Sequence, residues 1–516
     1  MPATTLDRMI LTDLDNDVLS TTGETRAIVA PLTGEVLHSL PVSSPADVKD
    51  AFARGRLAQL AWARAGFAAR GDVLLRAHDL LIERREELLD ILQSETGKTR
   101  GQAFEELFQC TSVTRYNALS AQRVLRGGRR RSALPLIVDT TVRYRPKGVV
   151  GVITPWNFPL SLAAMDVVPA LAAGCAVVQK ADDQGALSVL ALRRAFLDAG
   201  LPPEAWNVVA GDGAEIGGAV TGAADYICFT GSTATGRTVA VAAAERLVGA
   251  SLELGGKNAM IVLDDADPVK AAADAAYGCF SSAGQLCVSV ERIYVQRGVA
   301  AAFTDALVER VRSLRLGSSF DYGTDVGSLA TANQLARVQA HVDDAVSKGA
   351  TVLAGGSARP DLGPFFYEPT VLAGVTADMA CAREETFGPV VSLYTVDTDE
   401  EAVLAVNDSD YGLNASVLAT STPRARRVAD AIDAGSININ EGYRGSFSTV
   451  DAPMGGMKSS GVGRRNGPEG LLRFVEPVTV SRATGLLQLP RTGAEFSTMA
   501  APMLLLARVL KGARRR

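Results

Sequence analysis

The sequence predicts an α/β protein with a Rossmann-like parallel-sheet domain followed by a second α/β domain. Three observations predict it. Strand-like and helix-like runs alternate strictly between residues 149 and 245, and glycine-containing turns close several of the strand-like runs. The length, 516 residues, exceeds one core of about 100–200 residues.

Taken in order, Ser44 caps helical text beginning PADVKDAFARGRLAQLAWA, and LLRAHDLLIERREELLDILQSE repeats apolar residues every three or four positions toward Arg100. Residues 126–132, RGGRRRS, read as a solvated basic loop before the β-branched run TTVRYRPKGVVGVI. VVGVIT (149–154) reads as a buried strand, LSLAAMDVVPALAAG as a helix ending at Gly174, and CAVVQK as the next strand. ALSVLALRRAFLDAG is then a helix, WNVVAG and YICFTG (226–231) are strands, and a helix lies near GRTVAVAAAERL. This order implies right-handed βαβ crossovers and a sheet covered on both faces. A second succession runs from about Glu253 to Phe447, with strands at NAMIVL, RIYVQ, ATVLAG, VVSLYTV and SININ.

Composition excludes several classes. A net charge of −5, from 52 basic and 57 acidic residues, gives no general field for nucleic acid. The N-terminus MPATTLDRMILTDLDNDVLS carries acids where a signal peptide needs a basic start, and no run of about 18 apolar residues lacks charge or proline. A cytoplasmic protein without a membrane span is expected. The tail MAAPMLLLARVLKGARRR (499–516) has two readings: a helix docked on the protein's own surface, preferred because the run is short and broken by proline, and peripheral attachment to an anionic membrane. The six cysteines form no C-x-x-C pair and the three histidines have no ligand-like spacing, so neither a disulfide framework nor a metal site is expected.

Four segments carry chemistry. FSSAGQLC (280–287) ends a stretch of small residues on Cys287, and LELGGKN (252–258) sets Glu253 before a glycine pair. Alone, Cys287 reads as a buried small hydrophobe and Glu253 as a loop acid; together they suit a nucleophile and a base. TPWNFP (154–159) puts Asn157 at a strand's carboxyl end, where its amide can donate to an oxyanion. FTGSTATG (229–236) joins strand to helix, and Gly231 and Ser232 there offer a tight turn and helix-terminal donors to a pyrophosphate.

With EETFGPV (384–390) and PMGGMKSSG (453–461), these segments in this order resemble the aldehyde dehydrogenase superfamily over about residues 25–485. The resemblance implies residues 1–125 and 148–253 as a dinucleotide-binding domain, 254–447 as a catalytic domain, 126–147 and 470–488 as a small β oligomerisation flap, and 489–516 as a C-terminal tail. It implies Cys287 as nucleophile, Asn157 with the Cys287 N–H as oxyanion hole, and Glu253 as the base that activates water against a thioester. Trp156 and Leu254 would pack by the nicotinamide, Glu385 would hold its ribose, Phe387 would steady its ring, and Lys180 and Asp183 would meet the adenosine ribose. The segment reads KADD where the family usually has a proline after the lysine; an aspartate here accepts from a ribose 2′-hydroxyl and repels a 2′-phosphate, and the coenzyme stays open between NAD and NADP. Ser282 replaces a frequent asparagine, which implies altered loop hydrogen bonds around an unmoved nucleophile.

Within the superfamily, GQLCVSVERIYV, FYEPT and DAPMGGMKSSGVGRR look most similar to bacterial succinate-semialdehyde dehydrogenases. An acidic small-molecule aldehyde needs a cation, for which Arg292, Arg464 and Arg465 are unranked candidates. Other aliphatic or aromatic aldehydes are the alternative, and a catalytically inactive binding or scaffold protein is the rival of another class. Relatives imply a homodimer or homotetramer joined through the flap.

Overall fold

The computed structural model describes residues 8–135 and 137–512. Residues 1–7, which open the stretch read against a signal peptide, and 513–516, the basic end of the tail, lie outside the described residues.

The N-terminal third is helical, as its periodicity requires. Ser44 and Asp47 form a reciprocal capping box at the start of the helix Pro45–Arg64, which satisfies two of the amides that a helix start leaves open. The parallel sheet follows. Its strands are β1 (Val149–Thr154), β2 (Ala176–Ala181), β3 (Trp206–Ala210), β4 (Tyr226–Thr230) and β5 (Gly249–Glu253). Helices α1 (Pro159–Ala173), α2 (Ala186–Asp198), α3 (Gly213–Ala223) and α4 (Thr233–Glu245) separate them. Gly174 ends α1 at φ +92°, the left-handed conformation that glycine adopts without a Cβ penalty. The spatial order is β5-β4-β1-β2-β3, with the short strand Gly461–Val462 added antiparallel beyond β5. The chain therefore departs in opposite directions from β1. Crossovers diverge at the carboxyl ends of β1 and β4, which opens a crevice there.

The second sheet has seven strands, in the order 351–354, 370–373, 390–396, 290–296, 258–262, 414–418, 436–439, parallel except for the first pair. The turn from Glu253 to Asn258 links the carboxyl edge of the first sheet to the amino edge of the second. Cys287 precedes the strand Val290–Gln296, and Glu385 and Phe387 precede Val390–Val396. The two sheets thus bring the six motif segments toward one cleft.

Two expectations need correction. Residues 126–132 are not simply a loop: Gly128–Arg130 is a short edge strand on Val138–Pro146, which pairs in turn with Val475–Ala483. The basic side chains stay in solvent while their backbone joins the ladder, a distinction that composition does not make. The tail is not docked on the protein's own surface. It forms a helix, Gly493–Gly512, that continues through Pro502 and has no buried residue. It is also the one helix among the described residues long and apolar enough to cross a membrane, with mean hydropathy 1.2.

Candidate active site

The crevice predicted by the strand order is a cavity of about 190 Å³ lined by Asn157, Glu253 and Cys287. Trp156, Gly231, Ser232, Leu254, Glu385 and Phe387 share its walls. Nine of the eleven residues assigned in the sequence to catalysis or the cofactor therefore meet in one place. Gln334 and Arg337 line it too, from the helix Ala332–Ser347. Ordinary amphipathic spacing hid them in the sequence.

Asn157 is positioned from behind. The helix after it, α1, has no side-chain cap of its own, and buried Glu106 accepts from the Leu160 and Ser161 amides at 2.7 and 3.1 Å instead. Lys98 pairs with the same carboxylate and lies 3.5 Å over the Phe158 ring. The Asn157 side chain then gives one amide proton to the Gln285 carbonyl at 3.0 Å, leaving the second.

The loop before Cys287 is held in an uncommon backbone. Ser282, Ala283 and Gly284 have φ of +51°, +53° and +70°. A Cβ on Gly284 would stand 2.0 Å from the Gly388 carbonyl oxygen, so glycine is required for this loop to lie against the E-x-F-G-P segment. Asn258 donates to the Cys287 carbonyl at 2.8 Å, and Gln285 accepts from the Ala330 amide at 2.9 Å. Such ties offset the strain of two non-glycine left-handed residues. Ser282 contributes no side-chain bond: its hydroxyl is buried without a partner among the described residues.

Opposite, Glu291 accepts from the Thr386 and Phe387 amides, each at 2.9 Å, and pairs with Lys257 of the ELGGK segment. This fixes Phe387 at φ +54°, with its ring edge-on to Trp156 at 5.7 Å. Glu385 accepts from the Gly256 amide at 2.8 Å; a Cβ on Gly255 would stand 2.5 Å from that carboxylate.

Electrostatics separates the two ionisable groups, Glu253 and Cys287. Burial pushes the Glu253 carboxyl up to about 7, a shift opposed chiefly by the Arg465 guanidinium, and its Oε1 has no hydrogen-bond partner among the described residues. Burial, with Glu253 and Glu385 nearby, pushes the Cys287 thiol up to about 12. The proton of the free enzyme therefore rests on sulfur at neutral pH. Because the other five cysteines are buried, iodoacetamide should alkylate Cys287 selectively, about tenfold faster per pH unit between pH 7 and 9. Peptide-resolved alkylation rates check this, and a plateau near pH 7 would contradict it.

The remaining assignments fare differently. Lys180 and Asp183 lie at the carboxyl end of β2 but line neither this cavity nor the next. Asp183 is ion-paired to Arg26 at 2.7 Å and accepts from the Gly211 amide at 2.9 Å. Arg292 is buried, donating to Lys257 and Val406 carbonyls, and Arg465 is buried against Asp166 and Thr230. Arg464 donates to the Gly456 and Gly463 carbonyls. All three candidate cations for an acidic substrate thus have partners within the protein. A further cavity of about 690 Å³ lies between α3 and α4, lined by Ile153, Gly213, Gly217, Gly218 and Val239. Side chains at Gly213, Gly217 and Gly218 would meet nothing within 4 Å, so these glycines keep a flat apolar groove open.

A cysteine, a carboxylate and an amide meet beside a helix-terminal glycine turn at the switch point of a Rossmann-like sheet, an arrangement suited to dinucleotide-dependent oxidation. The sequence profile of the "Aldehyde dehydrogenase family" matches residues 18–480. A protein of Mycobacterium ulcerans (strain Agy99) named "Putative succinate-semialdehyde dehydrogenase NADP(+) 2" is 50% identical over 459 residues, 89% of each chain. A similarly named protein of Mycolicibacterium smegmatis is 49% identical over 458 residues, again 89% of each. Among solved structures, betaine aldehyde dehydrogenase of Staphylococcus aureus in complex with NAD+ superposes with a TM-score of 0.87 at 31% identity, covering 94% of this chain and 99% of that one. The chain belongs to the aldehyde dehydrogenase family. It is an NAD(P)-dependent enzyme that oxidises an aldehyde.

Proposed function

We propose that the protein oxidises succinate semialdehyde to succinate through a thioester on Cys287, with NAD or NADP as oxidant. One observation carries the mechanism: a partly exposed thiol, an amide with a proton to spare and a buried carboxylate with an unpartnered oxygen meet in one cleft. The substrate follows the names of the mycobacterial relatives.

Cys287 releases its thiol proton to solvent and adds as thiolate to the carbonyl carbon, and Asn157 with the Cys287 N–H stabilises the oxyanion that forms. A nicotinamide dinucleotide, when bound, supplies the two-electron oxidant that leaves a thioester on the sulfur. Glu253 then takes a proton from the attacking water, the acid departs, and the thiol returns. The residues present fit such a cofactor. Trp156, Leu254 and Phe387 would enclose its ring, Glu385 its nearer ribose, and Gly231 and Ser232 at the start of α4 its phosphates. The glycine-lined groove between α3 and α4 suits a flat adenine, and Lys180 and Asp183 the adenosine ribose. The antiparallel strand pair Val138–Pro146/Val475–Ala483, whose second strand is largely exposed, supports assembly as a homodimer or homotetramer through the flap.

A second reading, an uncharged aliphatic or aromatic aldehyde, is favoured by the arginines' internal partners. It is also favoured by aromatic residues in the core cluster against which Cys287 packs: Phe158, Tyr443 and Phe447, with ring centroids 6.2–6.3 Å apart. Steady-state kinetics with succinate semialdehyde, hexanal and benzaldehyde decides between them. The proposal expects kcat/KM for succinate semialdehyde to exceed the neutral aldehydes by about tenfold or more. Parity, or preference for the neutral compounds, establishes the second reading.

A further inference from the structure

We propose that Arg26 is a coenzyme-selecting residue. Its guanidinium neutralises Asp183 and presents its remaining N–H groups to a 2′-phosphate, so that the enzyme binds NADP as well as NAD. The inference rests on the reading of Lys180 and Asp183 as contacts of the adenosine ribose.

An unpaired aspartate at that position would select against NADP, because a second anion would be brought beside its carboxylate. The fold changes this balance. Arg26 belongs to the strand Thr25–Val29, paired antiparallel with Val36–Pro41, and is 157 positions from Asp183 in sequence. The Gln184 side chain donates to the Val29 carbonyl at 2.7 Å, tying that strand to the turn that carries Asp183. Arg26 Nη1 reaches Asp183 Oδ2 at 2.7 Å, while Asp183 Oδ1 takes the Gly211 amide at 2.9 Å. Both carboxylate oxygens are thereby engaged and the side chain is held by two elements.

The guanidinium is only half used. Nε and Nη2 have no hydrogen-bond partner among the described residues, and the Arg26 side chain keeps 41% of its surface exposed. Two free donors in a planar fork match two oxygens of a phosphate, a geometry that a lysine cannot reproduce. Of the neighbouring acids, Asp182 accepts from the Gln184 amide at 3.1 Å. Asp212 caps α3 through the Ala214 amide at 2.7 Å and sets its other oxygen 3.9 Å from Arg26 Nη1, the nitrogen that already serves Asp183, so Nε and Nη2 stay open. Buried Lys180, three residues before Asp183, adds a second positive charge to the same strand end.

Calorimetric titration of the full chain with NADP+, NAD+ and adenosine 2′,5′-bisphosphate tests the assignment without turnover. R26A should lower the ratio of NADP+ to NAD+ affinity by about 10- to 100-fold, the range for losing a hydrogen bond to a charged group. R26K should recover part of that loss. NADP+ binding should also weaken with salt more steeply than NAD+ binding, since the guanidinium is partly exposed. D183N, which removes the opposing charge and leaves Arg26, should move the ratio toward NADP+. A ratio unchanged in R26A while D183N shifts it overturns the role of Arg26 alone. If D183N alters the affinity of neither coenzyme, the ribose reading itself falls and the inference with it.

Discussion

Cys287→Ala is expected to reduce aldehyde oxidation by about a thousandfold or more, because no other thiol lines the cleft. The cysteines outside the cleft are buried and cannot substitute. Dinucleotide binding should survive, since Trp156, Ser232, Glu385 and Phe387 are held by contacts that do not involve the sulfur. The informative measurement pairs turnover with coenzyme titration in the same protein. Loss of both together would mean that the substitution disturbed the left-handed loop at residues 282–284 and not the chemistry alone.

Glu253→Gln is the second large effect. The amide keeps the shape of the side chain and removes its basicity, so thioester formation should continue while hydrolysis slows by about 10²–10⁴-fold, the usual range for a positioned general base. Rapid mixing with aldehyde and coenzyme should then give a burst of reduced cofactor close to one equivalent per site, followed by a slow steady state. The wild-type enzyme adds a pH signature. With its carboxyl raised to about 7, Glu253 is protonated below that pH and ionised above it, as the proposed role of base requires. The hydrolytic step should therefore rise through about pH 7 in the wild type, and that inflection should vanish in Glu253→Gln. Absence of the burst in the variant would assign the carboxylate to thiol activation as well.

The Arg465 charge is the chief reason why Glu253 does not rise further; Asp166, whose own charge adds to the rise, holds that guanidinium in place. Arg465 binds the carboxylate of Asp166 and the hydroxyl of Thr230, and Thr230 is the ladder partner of Glu253. Arg473 donates to the same aspartate at 2.8 Å, so the buried acid has two cations, and the arginine facing Glu253 is held in place from behind. Such a network costs desolvation but fixes where its charge points.

Much of this site was legible in the sequence because its residues sit where strands end. VVGVIT is the strand Val149–Thr154, and the segments that follow β1, β4 and β5 are the PWN, GST and ELGG motifs. The less legible parts have physical reasons. Asn414–Leu418 is buried throughout yet consists of Asn, Ala, Ser, Val and Leu, which neither alternate nor favour strands strongly. Thr370–Ala373 is four residues long and follows a proline. Glu106 and Lys98 act on the Asn157 turn from helical text more than 50 residues earlier, and Arg26 reaches Asp183 from an N-terminal hairpin. No local pattern marks such long-range partners. The arginines show the converse: their type suited an acidic substrate, but only coordinates reveal that Asp166 and main-chain carbonyls already occupy them.

The central claim is that the acyl group is carried on the sulfur of Cys287. Acid-quenching the Glu253→Gln enzyme seconds after mixing with aldehyde and coenzyme, then mapping peptide masses, examines it directly. The account predicts an acyl mass increment, labile to hydroxylamine, on the peptide that contains Cys287. Full reduced-cofactor burst with that peptide unmodified would contradict it.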